Sequence, residues 1–137
     1  MSAMQRHSWP AWLLNPATGL AALLIAAGVM HFVTPAFFDK IVPESLPGSQ
    51  RLWTLISGAA ELGVGAMVIV PRSRRVGATL AGLLFLAVWP ANFKMAFDWG
   101  DRSAGERALA YGRLPLQLPL IYLAWIVRRS TRPVSRA

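Results

Sequence analysis

Cysteine is absent from the 137 residues, which excludes disulfides, thiol redox chemistry and Cys-ligated metals within the chain. Histidine occurs twice and acidic residues six times. One histidine and one carboxylate in the apolar segments are too few ligands for a zinc site. Charge of either sign is scarce: 15% of residues are charged, against about 25% in an average soluble domain. Hydrophobic residues fill the difference, at 55% of the chain. No Ser/His/Asp arrangement, phosphate loop or nucleotide fingerprint occurs, and the Gly-rich stretch Gly58 to Gly65 follows no strand. A haem on an axial His31 has no supporting feature.

A net charge of +8 and a pI near 11.5 would ordinarily raise nucleic acid as a partner. Here the arginines crowd short connections and the C-terminal tail, where basic residues orient membrane helices. Nucleic-acid binding is therefore not expected. Arg6 and His7 look like the basic start of a signal peptide, with small residues at Ala26-Ala27-Gly28. The apolar stretch nevertheless runs on through Val33, beyond the roughly 7–15 residues of a cleaved hydrophobic region. An uncleaved first helix is expected.

The pattern predicts an all-α integral membrane four-helix bundle of up-down-up-down topology, a single domain with spans about 17–38, 51–70, 76–97 and 112–127. Asn15-Pro16 is a helix start, with Asn as the cap and Pro in the first helical position. Pro35 should loosen the end of span one, and the segment from Asp39 to Gln50, with Pro43, Pro47 and Gly48, reads as a loop along the interface. Pro71 stops span two before the basic turn Arg72-Ser73-Arg74-Arg75. Pro90 should bend span three. Asp98 to Tyr111 reads as a polar loop. A chain this small cannot wrap four such helices in a polar layer of its own, so a soluble fold is rejected.

Eight of the fourteen Lys and Arg residues lie at the N-terminal segment, the 72–75 turn and the C-terminal tail, and six lie on the opposite side with all the dilution by Asp and Glu. This places both termini (1–14 and 129–137) in the cytoplasm. Trp9, Trp12 and Trp125 would then line the inner interface, and Trp53 and Trp99 the outer one. Small residues at helical spacing (Ala22 and Ala26, Gly58 and Gly65, Ala78 and Gly82) suggest close helix packing.

Glu61 is the most informative position. It sits near the middle of span two, about 15 Å from either end, where a carboxylate is costly and must face the interior with a partner or a proton. Ser57 lies one turn before it on the same face. His31, Asn92, Arg113 and Gln117 all fall in the outer half of their spans, whereas the inner halves are nearly free of ionisable groups. Together they suggest one polar pocket opening outward with Glu61 at its floor. The plainer reading is interhelical hydrogen bonding, typically about 0.6 kcal/mol per bond, with Asn92 satisfying a carbonyl freed by Pro90 and Arg113 reaching for the interface.

The run His31-Phe32, Pro35, Phe38, Ile41-Val42-Pro43 and Leu46-Pro47 resembles the DoxX-like membrane proteins. So do Ser57-Gly58 with Glu61, Pro71 with Arg74-Arg75, Pro90-Ala91-Asn92 with Met95, and Arg113 with Pro115, Leu116 and Gln117. The likeness spans Gly28 to Trp125, and Trp89 stands where relatives often carry Phe. The resemblance implies a four-helix bundle in the bacterial cytoplasmic membrane. It also implies accessory subunits or assembly factors for membrane partners, one of them in a quinone-reducing thiosulfate oxidoreductase.

Two functional expectations follow. The first is a small accessory subunit whose outer-half pocket (Glu61, His31, Asn92, Arg113, Gln117, Ser57) holds a lipid-like or quinone-like molecule, or docks a partner helix. The second is the membrane subunit of a quinone-linked oxidoreductase, with a soluble or membrane oxidoreductase as partner and His31 or Glu61 moving the proton. Four spans without internal symmetry give little basis for a carrier.

Overall fold

A computed structural model describes residues 10–12 and 15–131. Arg6, His7, Trp9, Arg132 and Arg136, which entered the sequence reading, lie outside the described residues. Among those described there are five helices and no strand. They are α1 (Pro16–Val33), α2 (Pro35–Asp39), α3 (Gln50–Ile69), α4 (Arg74–Asp98) and α5 (Ala104–Ser130). Three of them, α1, α3 and α4, are long and apolar enough to cross a membrane. The chain is a membrane protein.

The expected helix start is present: the Asn15 side chain accepts from the Ala17 amide at 2.9 Å, and Pro16 opens α1. Span one was expected to reach Phe38. It stops instead at Val33, because Pro35 has no amide to continue the ladder, and the short α2 restarts after Thr34. Helix α3 begins after Ser49, whose hydroxyl accepts from the Leu52 amide at 3.1 Å. Its end at Ile69 leads into a tight turn held by Ser73 and Arg74, both donating to carbonyls of the last turn of α3. Helix α4 then runs through Pro90 as one helix.

The polar loop expected from Asp98 to Tyr111 is largely helix. Ser103 caps α5 by accepting from the Glu106 amide, and Glu106 reaches back to the Ser103 amide, a reciprocal capping box. The Ser103 contact also holds the Glu106 carboxyl below its usual range. Helix α5 covers the expected fourth span, but Arg113, Gln117, Pro115 and Pro119 lower its hydropathy, so it is not among the three apolar spans.

Helix α1 packs on α3, α4 on α5, and α3 on α4, with a slighter contact between α1 and α5. The α1–α3 contact is antiparallel and very close. A Cβ on Gly58 would lie 2.7 Å from His31 Cβ and 2.9 Å from Phe32, and one on Gly65 would lie 2.8 Å from Ile25. Gly28 completes the stripe against Leu62 and the Gly58 carbonyl. The expected partners Ala22 and Ala26 are exposed; the face that α1 buries is Ala21, Leu24, Gly28 and His31.

Two packed clusters result. The larger, with Leu20, Leu24, Val68, Ala81, Phe85, Ala124 and Val127, fills the half of the molecule nearest the α3–α4 turn. The smaller joins Met95, Ala96, Trp99 and Ala110 at the other end of α4 and α5. Trp99 is thus buried, whereas Trp12 and Trp125 are exposed.

Lipid offers no hydrophobic drive for helices to associate, so close van der Waals contact carries much of the packing. Gly58→Ala should therefore destabilise the fold by about 1–3 kcal/mol through overpacking. Gly63 has open space around its Cβ position, and Gly63→Ala should stabilise by up to about 1 kcal/mol through helix propensity. Thermal unfolding of both variants in detergent checks the contrast.

Candidate functional site

Between the two packed clusters lies a cavity of about 330 Å³. It takes Trp53, Thr54, Ile56, Ser57, Ala60 and Glu61 from α3, and Leu84, Ala87, Val88, Ala91 and Asn92 from α4. His31 of α1, Arg113 of α5 and the segment Phe38 to Leu46 complete its lining. Most walls are apolar, and the few polar groups converge from four helices.

The centre of the polar part is His31 against Glu61. The Nδ1 of His31 donates to the Ala27 carbonyl at 2.8 Å, and because a carbonyl only accepts, that nitrogen carries the hydrogen. Glu61 Oε2 lies 3.0 Å from the same nitrogen. One N–H cannot point well at both acceptors, and Ala27 has the better direction. Oε2 is consequently buried without a well-directed hydrogen bond among the described residues, although Glu61 lines the cavity. The close contact at Gly58 brings the two helices near enough for this juxtaposition. Phe38 then stacks on the imidazole, with ring centroids 3.8 Å apart.

The segment that follows α2 is fastened over the cavity by the first turn of α3. Gln50 donates to the Val42 carbonyl at 2.9 Å, the Trp53 indole to the Pro47 carbonyl at 2.7 Å, and Arg51 pairs with Asp39 at 2.9 Å. The Arg51 guanidinium holds the Asp39 carboxyl below the usual carboxylate range. The buried Thr54 hydroxyl lies toward Asp39 without a hydrogen bond of good geometry.

Five of the six residues expected to form a pocket share this cavity: His31, Ser57, Glu61, Asn92 and Arg113. Arg113 and Glu61 line it without a direct ion pair among the described residues. Asn92 is 2% exposed and makes no hydrogen bond to another described residue, so it does not cap a carbonyl freed by Pro90.

Gln117 is the correction. Its buried amide lies outside the cavity and donates to the Phe85 carbonyl at 2.6 Å. Pro90 leaves the neighbouring Leu86 carbonyl without its helical donor and crowds that turn. The reverse contact is also made: the Trp89 indole of α4 donates to the Leu114 carbonyl of α5 at 3.2 Å, one residue before the carbonyl that Pro119 leaves without a donor. Each helix thus supplies a side-chain donor to the loosened turn of the other. The signals that sequence reasoning missed here were proline at i+4 from each acceptor's neighbour, and the lining residues Thr54 and Trp53, which lack a charge to mark them.

A family model described as a domain of unknown function (DUF8561) matches residues 20–128. The chain belongs to that family. No curated protein and no solved structure matches it. Every residue that lines the cavity falls within the matched DUF8561 segment.

Gln117→Leu should lower stability by about 1 kcal/mol, as for an interhelical hydrogen bond in a membrane protein, and should leave the cavity residues unaffected. Equal stability of wild type and variant in thermal unfolding would remove the α4–α5 clasp from the account.

Proposed function

We propose that this DUF8561 chain is a small accessory subunit of the bacterial cytoplasmic membrane that crosses the bilayer four times. Helices α1, α3, α4 and α5 form a four-helix bundle with both termini cytoplasmic, and its outer-half cavity holds a lipid-like or quinone-like molecule. The observation that carries the reading is the convergence of His31, Ser57, Glu61, Asn92 and Arg113 on one cavity with otherwise apolar walls. Binding sites for small amphiphilic molecules have this composition, apolar walls with a few placed polar groups, and volumes from about 300 Å³. An ionisable residue halfway along an apolar helix is the second support, because its retention there is costly unless it is used. The resemblance to the DoxX-like proteins, at these same positions, is the third.

The topology has its own test. The chain lacks cysteine, so single cysteines placed at the exposed Pro71 and Asp101 report sidedness cleanly. A membrane-impermeant thiol reagent should label Asp101→Cys in intact cells and leave Pro71→Cys unlabelled. Labelling at Pro71→Cys would reverse the orientation.

The ligand reading is tested by mass spectrometry of the protein purified in mild detergent. Wild type should retain a lipid or quinone, and Glu61→Gln, which keeps shape and a hydrogen-bonding amide, should fold normally but lose it. If the folded Gln variant retains the same molecule, Glu61 is only interhelical packing.

A further inference from the structure

The cavity is not equally closed on all sides. The α1–α3 seam is sealed by the glycine contacts at Gly28, Gly58 and Gly65, and the α4–α5 seam by Gln117 and Trp89. Helices α3 and α4 touch closely at their turn, where a Cβ on Gly77 would lie 2.8 Å from Met67 and 2.9 Å from the Val68 amide nitrogen. Farther from that turn, both helices line the cavity instead of filling the space between them. The lining residues that are also exposed on the outside are Leu46, Ile56 and Ala87. Ile56 belongs to α3 and Ala87 to α4, so they flank the same seam, and Ile56 and Leu46 are 47% and 38% exposed. An opening bordered only by apolar side chains on apolar helices faces hydrocarbon.

The polar inventory inside narrows what fits. Arg113 offers only donors and Asn92 offers both kinds of group, while Glu61 lines the cavity and accepts no well-directed hydrogen bond among the described residues. The hydrogen on His31 Nδ1 is directed at Ala27, and the Ser57 and Thr54 hydroxyls that also line the cavity make no hydrogen bond to Glu61 among the described residues. A ligand carrying acceptors alone leaves that carboxylate without a partner, whereas a hydroxyl can donate to Glu61 and accept from Arg113 or Asn92.

We infer that the cavity admits, from the bilayer and through the α3–α4 seam beside Ile56 and Ala87, an amphiphile whose headgroup carries a hydroxyl that donates to Glu61. This rests on the ligand-holding reading above and adds the headgroup chemistry and the route of entry. The same hydroxyl chemistry is available from a phenolic lipid or from a glycerolipid.

The test uses full-length protein in nanodiscs loaded with para-dodecylphenol, its methyl ether, or dioleoylglycerol, with binding read by native mass spectrometry. Leaving a buried acceptor without its hydrogen bond costs about 1–3 kcal/mol, so the phenol or the glyceride should bind about fivefold or more tightly than the ether. Which of the two binds identifies the source, and Glu61→Leu should erase the preference. Equal binding of phenol and ether overturns the hydroxyl requirement while leaving the ligand-holding reading intact. Binding of none of the three overturns the proposed headgroup class; the reading itself then stands or falls on the molecule that copurifies. Ala87→Trp, a substitution on an exposed face, should keep the melting temperature and abolish binding from the bilayer. Unchanged binding in that variant overturns the lateral route.

Discussion

A carboxylate placed halfway along an apolar helix demands its surroundings. In this chain the demand is met by the contact of α1 with α3 across Gly58, where no larger side chain fits between the helices. That contact sets the imidazole of His31 3.0 Å from Glu61. Phe38, delivered by the break at Thr34 and Pro35, covers the ring from the other side. The cavity takes both residues of this pair into its lining, together with Arg113 and the segment from Phe38 to Leu46.

The second organising feature is a difference between the two halves of the molecule. Toward the α3–α4 turn, Leu, Val, Ala and Phe from all four long helices fill the interior. Toward the other end, α3 and α4 no longer fill the space between them, and polar groups face the gap. Pro90, Pro115 and Pro119 are accommodated without breaking α4 or α5. Gln117 and Trp89 donate to carbonyls next to the ones that the prolines leave without a donor, so the two helices stay joined beside an open cavity.

Much of this was legible in the sequence because burial of charge in an apolar run leaves few options. Glu61, His31, Asn92 and Arg113 stood out by residue type and depth alone, and the antiparallel order of the helices brought them together. Gln117 stood out for the same reason yet serves the α4–α5 contact, since depth and face do not distinguish a cavity from a neighbouring backbone. The start of α5 was misplaced although Ser103 and Glu106 spell a capping box; the mixed charge around them masked a helix beginning. The α1 stripe was misassigned to Ala22 and Ala26 because small residues recur on several faces of that helix, and only the partner decides which is buried. Thr54 carried no signal, because an uncharged residue near a helix end is ordinary, and Trp53 read only as an interfacial aromatic.

The central claim is that one half of the interior is packed and the other is open around Glu61. It is tested most directly by the reactivity of two cysteines in the folded, detergent-solubilised protein. Ser57→Cys lies in the cavity lining and Ala81→Cys in the packed cluster. A small maleimide should modify the cysteine at 57 while the fold is intact and reach the one at 81 only after unfolding. Equal protection at both positions would contradict the account.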